Sequence, residues 1–337
     1  MFQVEPILWL QSHGSPPLTA LLSLVTLLGY TPAYVALLLV LAFAVRLRPG
    51  LAVLGGVLLA GLLADGLKDA VAFPRPDEVD ARVAPTFATK PLELDARGGA
   101  TSFWSRPQPE AIAAVRRRDA GNYGFPSGHV AAATSFLLCA AYFFRSRQAL
   151  AAAGAWVPLM ALSRMYLGRH FLADVLGGLA TGLAATGLAI LLFRWLGADH
   201  SRHSARGKGW PALAPLALVS LTLIVLTPWQ PLLQPEYVGL LAGLAVSHAY
   251  LAAAGVPPDG GTSRQRAWRV AAGALVLLAG LAATGALVAL AGPSAARTLA
   301  LAATTLVSAA TFAGTTALSR RLGLYAEEPC RTTTPGR

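Results

Sequence analysis

The chain has 337 residues, 55% of them hydrophobic and 13% charged, with a formal net charge of +11 and a mean hydropathy of +0.56. Soluble domains carry roughly 25% charged residues, so this composition excludes an ordinary soluble enzyme and predicts an all-α integral membrane protein. The basic excess sits in short loops between apolar runs, which reads as membrane topology and lipid-headgroup contact rather than nucleic-acid binding.

A bilayer span needs about 20 mostly apolar residues. In chain order, residues 5–15 read as a short amphipathic or interfacial piece. Residues 17–45 are apolar but interrupted by Gly29 and Pro32, which predicts an entry helix and a first span, with a straight span or two half-helices as alternatives. Further spans are predicted at 50–73, 127–144, 149–167, 171–196, 211–228, 237–255, 270–291 and 298–318, about nine in all. The Met–Phe–Gln–Val–Glu–Pro start has no basic segment before an apolar core, so no cleavable signal peptide is expected. Cys139 and Cys330 lie far apart and suggest no disulfide framework.

Arg46, Arg48, Arg145, Arg147, Arg194 and the basic residues of 202–208, 264–269 and 320–321 fall on one side of this scheme. That side is cytoplasmic by the positive-inside rule. Residues 1–197 are then an N-terminal membrane core and 77–125 an extracytoplasmic loop, read either as a lid or as a solvated connection. Residues 198–210 form a cytoplasmic linker whose His200 and His203 carry no metal-ligand signature. Residues 211–320 form a four-helix extension, read as support or dimerisation, and 321–337 a tail. Trp210, Trp229 and Trp268 stand near span ends, as an aromatic belt would.

Three polar clusters share the opposite side. Lys68 and Arg75 lie about two helical turns apart and can share a face, either to hold an anion or as a snorkelling pair. Pro126 sits at a predicted helix start, so the amides of Ser127, Gly128 and His129 are unpaired donors fit for an anion. His129 there is either a proton donor or an ordinary interfacial histidine. His170 and Asp174 are i and i+4 on the next span. The carboxylate can fix the imidazole tautomer and leave the other nitrogen free to attack, or the pair can be structural. Arg164 closes the preceding span.

The pattern Lys68–x6–Arg75–Pro76, Pro126–Ser127–Gly128–His129 and Ser163–Arg164–x5–His170–x3–Asp174 resembles the type 2 phosphatidic acid phosphatases over about residues 18–196. Their superfamily includes lipid phosphate phosphatases, undecaprenyl pyrophosphate phosphatases, glucose-6-phosphatase and vanadium-dependent haloperoxidases. The resemblance implies that His170 is the nucleophile forming a phosphohistidine and that Asp174 orients it. It implies that His129 protonates the leaving oxygen and then activates water. Lys68, Arg75, Arg164, Ser127 and Gly128 would hold the phosphoryl oxygens. It implies no metal or other cofactor, because three cations neutralise the phosphate. The expected substrate is a membrane lipid phosphate or pyrophosphate at the outer leaflet of a bacterial inner membrane, with no nucleic-acid partner and a homodimer as a further option. A phosphotransferase, a glucose-6-phosphatase-like hydrolase, a peroxidase and a phosphate or lipid transporter are the competing readings. Two departures are the four additional spans and Asp174, a residue the glucose-6-phosphatase branch does not keep.

Overall fold

The computed structural model describes residues 1–84, 97–118, 123–203, 234–290 and 293–325. Every regular element among them is helical. The chain divides into two compact units: Met1–Val35, Ala52–Ala198 and Val225–Val238 make the first, and Ala36–Leu51, Asp199–Ile224 and Gly239–Arg337 the second.

The N-terminal elements are α1 (Glu5–Ser12), α2 (Pro16–Leu27) and α3 (Thr31–Val40), the last running into a π-helical turn, Leu41–Val45. The Ser15 side chain accepts the Leu18 amide and Pro16 occupies the first turn, so α2 starts where capping chemistry places it. It stops at the Gly29–Pro32 segment. Pro16–Leu27 and Thr31–Val45 are bent by 58°, which realises the two-half-helix alternative. One side of helix α1 packs against the protein, while Trp9 on it is 63% exposed. Ile7 is fully buried against Val79, Val83, Val115 and Phe171, and Gln11 donates to the carbonyls of Ala84 (3.2 Å) and Tyr166 (2.9 Å). Its apolar stripe meets the protein, a choice that amphipathic spacing alone leaves open.

Next come α4 (Leu47–Val71), a short turn α5 (Pro76–Val79), α6 (Pro109–Arg118), α7 (Gly128–Phe144), α8 (Arg147–Tyr166) and α9 (Leu172–His203). Prolines 74 and 76 prevent α4 from continuing. Helix α9 runs to His203, so the start of the polar linker is helical. Helices α4, α7 and α9 pack through small side chains: Ala60, Ala64, Ala131 and Ala185 form one buried cluster. A Cβ on Gly178 would stand 2.5 Å from the Ser127 carbonyl, and one on Gly182 2.6 Å from that of Ala131. This close approach is the usual means of helix association where surrounding lipid is as apolar as leucine.

In the second unit, Phe43 stacks on Phe312 at 5.9 Å. Asp259 accepts the Leu47 amide at 3.2 Å and pairs with Arg46 at 3.4 Å. The helix Ser263–Leu290 is apolar along its length yet buries only Arg269 and Gly273.

Among the described residues, five helices are long and apolar enough to cross a membrane: Leu47–Val79, Leu172–Arg194, Pro235–Ala254, Ser263–Leu290 and Ala296–Arg321. Counted as one span, the bent pair makes a sixth. The predicted span at 211–228 lies outside the described residues, as do Cys330, Trp210 and Trp229. The span predicted at 127–144 is a 17-residue helix. That predicted at 149–167 is a 20-residue helix outside the group long and apolar enough to cross; it carries Arg147, Ser163 and Arg164.

An aromatic cluster ties the N-terminus to all three polar motifs. Phe2 lies 5.2 Å from Phe73, 6.3 Å from Phe125 and 5.7 Å from Phe171. Each of those rings stands within two residues of a motif side chain: Arg75, Ser127 and His170. Replacing Phe2 by Ala is expected to cost about 1–3 kcal/mol, below the ~3–5 kcal/mol of a fully buried phenylalanine. Thermal unfolding of the purified variant in detergent checks this; an unchanged midpoint refutes it.

Candidate active site

The three motifs come from alternating helix ends. Lys68 and Arg75 follow the C-terminal part of α4, His129 opens α7, Arg164 closes α8, and Asp174 lies in the first turn of α9. Chain reversal between antiparallel neighbours therefore brings all of them to one end of the first unit.

Backbone hydrogen bonds then lock the motifs together. The Gly124 amide donates to the Phe73 carbonyl at 2.7 Å, joining the second motif to the first. The Ser127 amide donates to the Asp174 carbonyl at 2.9 Å, joining the second to the third. The Asp77 amide donates to the Gly168 carbonyl at 3.2 Å, joining the first to the third. Gly168 has φ +70, a left-handed conformation that L side chains rarely adopt. A Cβ there would also stand 2.7 Å from Val83.

The side chains follow this frame. Lys68 donates to Asp65 at 2.8 Å, and its Nζ lies 3.4 Å from where a Gly128 Cβ would stand. Gly128 thus leaves the room through which the ammonium faces the start of α7. Arg75 is buried and donates through Nη1 to the Arg169 carbonyl at 3.1 Å. Arg169 in turn donates to Asp77 at 2.8 Å. Glu78 accepts the Arg75 amide at 2.9 Å and pairs with Arg118 at 3.6 Å. Arg164 is 4% exposed, and its Nε and Nη1 have no hydrogen-bond partner among the described residues. The same holds for the buried Ser127 Oγ and His129 Nε2.

His170 is 2% exposed, and its Nδ1 lies 3.4 Å from Asp174 Oδ2. That is longer than an ideal hydrogen bond, and the same carboxylate oxygen accepts the Phe171 amide at 2.8 Å. Facing Asp174 with Nδ1 leaves Nε2 as the nitrogen directed elsewhere. Burial, then the positive charges of Arg75 and Arg164, with His129 and Lys68 behind them, hold the imidazole pKa well below its usual range. A histidine lowered in this way stays neutral as the pH falls through about 6.5, so its lone pair is retained.

The structure therefore brings Lys68, Arg75, Ser127, Gly128, His129, Arg164, His170 and Asp174 into one neighbourhood. Sequence reasoning missed several residues that serve it. Asp65 lies three before Lys68, a helical spacing that carries a readable signal. Asp77 and Glu78 were read as loop carboxylates but are buried partners of the cations. Tyr30, from the break between α2 and α3, packs edge-on against His129 with ring centroids 4.8 Å apart. No local pattern announces that contact, because the two residues are almost a hundred positions apart.

Residues 49–198 match the family model described as PAP2 superfamily. The lipid A 4'-phosphatase of Porphyromonas gingivalis is 34% identical over 88 residues, which are 25% of this chain and 37% of that relative. The chain thus spans well under half of that relative's length. No solved structure matches the chain. All eight motif residues fall inside the PAP2-matched stretch, whereas Phe2 and Tyr30 lie before it.

Removing the Asp77 carboxylate takes away a charge partner from buried Arg169 and loosens the loop that holds Arg75. Breaking a buried pair from one side costs about 3–5 kcal/mol. Asp77→Asn keeps the side-chain shape, so about 2–4 kcal/mol of stability is expected to be lost. Denaturant or thermal unfolding in detergent tests this, and a loss under about 0.5 kcal/mol contradicts a structural role for the pair.

Proposed function

We propose that this chain is a membrane phosphatase that removes phosphate from a phosphorylated lipid through a phosphohistidine. One observation carries the reading: buried polar atoms of Arg164, Ser127 and His129, near the His170–Asp174 pair, have no hydrogen-bond partner among the described residues. Buried polar atoms without partners are costly, and a phosphoryl group supplies the acceptor oxygens they lack. The PAP2 match and a relative named for lipid A dephosphorylation support the same chemistry.

In this reading the phosphoryl oxygens lie among Lys68, Arg75, Arg164 and the donors of Ser127 and Gly128. These cations stabilise the charge that spreads over the oxygens in the transition state. His170 Nε2 attacks phosphorus as the bond to the leaving oxygen breaks, and His129 gives that oxygen a proton. Asp174 holds Nδ1–H and stabilises the charge on the phosphorylated ring. Water then loses a proton to His129 and attacks phosphorus, the phosphorus–nitrogen bond breaks, and inorganic phosphate leaves. The chain's own cations supply the neutralisation that a metal ion would otherwise provide.

Helices α7 and α8 also cross the membrane in this proposal, and with 211–228 the spans number nine. Loop charge then puts the site on the extracytoplasmic face of a bacterial inner membrane. The exposed apolar length of Ser263–Leu290, where Leu275 is 70% and Leu290 86% exposed, supports insertion, since so large an apolar surface does not persist in water.

The test is phosphate release by purified protein from phosphatidic acid, phosphatidylglycerol phosphate, undecaprenyl pyrophosphate, sphingosine phosphate and glucose 6-phosphate. His170→Ala is expected to lower the rate by about 10³-fold or more while leaving the unfolding midpoint within a few degrees. A labelled substrate quenched in base should leave an acid-labile phosphoramidate on wild-type protein and none on the variant. Turnover that survives His170→Ala overturns the mechanism.

A further inference from the structure

The break between α2 and α3 falls against the residue to which the proposed mechanism gives proton transfer. The Gly29 amide donates to the Thr26 carbonyl at 2.9 Å and the Tyr30 amide to that of Leu27 at 3.2 Å, which turns the chain at this point. A Cβ on Gly29 would stand 2.7 Å from His129 Cδ2 and 2.7 Å from Met160 Cε. The backbone of the elbow therefore lies directly on the imidazole. Tyr30 sets its ring at 84° to that of His129, centroids 4.8 Å apart. The elbow is itself anchored: Thr26 Oγ1 and Ser163 Oγ are 2.7 Å apart, and Ser163 donates to the Leu22 carbonyl at 2.6 Å. That anchor is the residue immediately before Arg164.

One motif residue is thus touched by both residues of the elbow, the Gly29 backbone and the Tyr30 ring. Among the described residues His129 Nε2 has no hydrogen-bond partner, and Gly29 and Tyr30 pack against the ring. An edge-to-face contact is directional as well as attractive, contributing about 0.5–1.5 kcal/mol beyond burial. Tyr30 is 40% exposed, so it stands at the rim of the site. A leaving oxygen that receives its proton from His129 must lie on the His129 side, where this rim is.

We propose that Tyr30 is a positioning residue: its ring aims His129 at the leaving oxygen. This rests on the phosphatase reading above. It assigns leaving-group selectivity to an elbow that lies outside the PAP2-matched stretch.

General-acid assistance matters in proportion to the basicity of the leaving oxygen. An alkyl phosphate such as dodecyl phosphate needs the proton, and p-nitrophenyl phosphate scarcely does. Tyr30→Leu is expected to lower kcat on dodecyl phosphate by about 10–100-fold and on p-nitrophenyl phosphate by less than about 3-fold. Tyr30→Phe keeps the ring, so the ratio of the two rates stays near the wild-type value. Gly29→Ala pushes on His129 from the other side and should reproduce the selective loss on dodecyl phosphate, which keeps the test open if Tyr30→Leu does not fold. Equal losses on both substrates, or none on either, overturn the proposal and leave the phosphatase reading intact. Wild-type protein that hydrolyses neither substrate overturns that reading, and this one with it.

Discussion

Several positive side chains in one buried neighbourhood repel one another, and the first unit is organised around offsetting that repulsion. Lys68, Arg75, Arg164 and Arg169 would separate if each were free to move. Carboxylates placed behind them hold three of the four: Asp65 on Lys68, Asp77 on Arg169, and Glu78 on the Arg75 backbone. Arg164 is the exception, buried with two nitrogens that have no hydrogen-bond partner among the described residues. Charge is thus balanced away from the site and left uncompensated inside it. An anion entering the site meets donors already fixed in place, so little reorganisation opposes binding or the transition state.

Fixing the donors takes more than ion pairs. Backbone bonds from Gly124, Ser127 and Asp77 close a ring among the three motifs, and Phe2 packs against the aromatic residue of each. The ring constrains backbone position, and the aromatic contacts add burial beneath it. Small residues on α4, α7 and α9 set the distance between the helices that carry the ends. A wider separation, of the kind a Cβ at Gly178 would force, would displace Ser127 from Asp174.

The polar motifs were legible because charged and histidine side chains stand out in an apolar chain, and their spacing fixes which face they share. The helical class was legible for the same reason. What the sequence concealed depends on tertiary contact. Asp77 and Glu78 look like loop carboxylates until the fold turns Asp77 onto Arg169 and Glu78 onto Arg118. The amphipathic pattern of α1 suits a membrane surface and a protein groove equally, and only the groove formed by Val79, Val83 and Phe171 decides between them. The Gly29–Pro32 break was readable as an interruption, but not as an elbow resting on His129. The span count was least legible, because α7 is short and α8 carries Arg147 and Arg164, so hydropathy and length disagree about both.

The division between matched and unmatched residues has a chemical counterpart. The PAP2 stretch contains every group that contacts phosphorus or its oxygens in the proposed mechanism, and those requirements are the same for any phosphate ester. The leaving group differs from one substrate to another, and the acid that serves it must be aimed according to where that group lies. Tyr30 and Gly29, which bear on the aim of His129, belong to the preceding broken helix. A fold built in this way can keep its phosphate chemistry constant while the elbow varies. Selectivity would then change through residues that touch the acid from outside, without disturbing the charge balance on which the site depends.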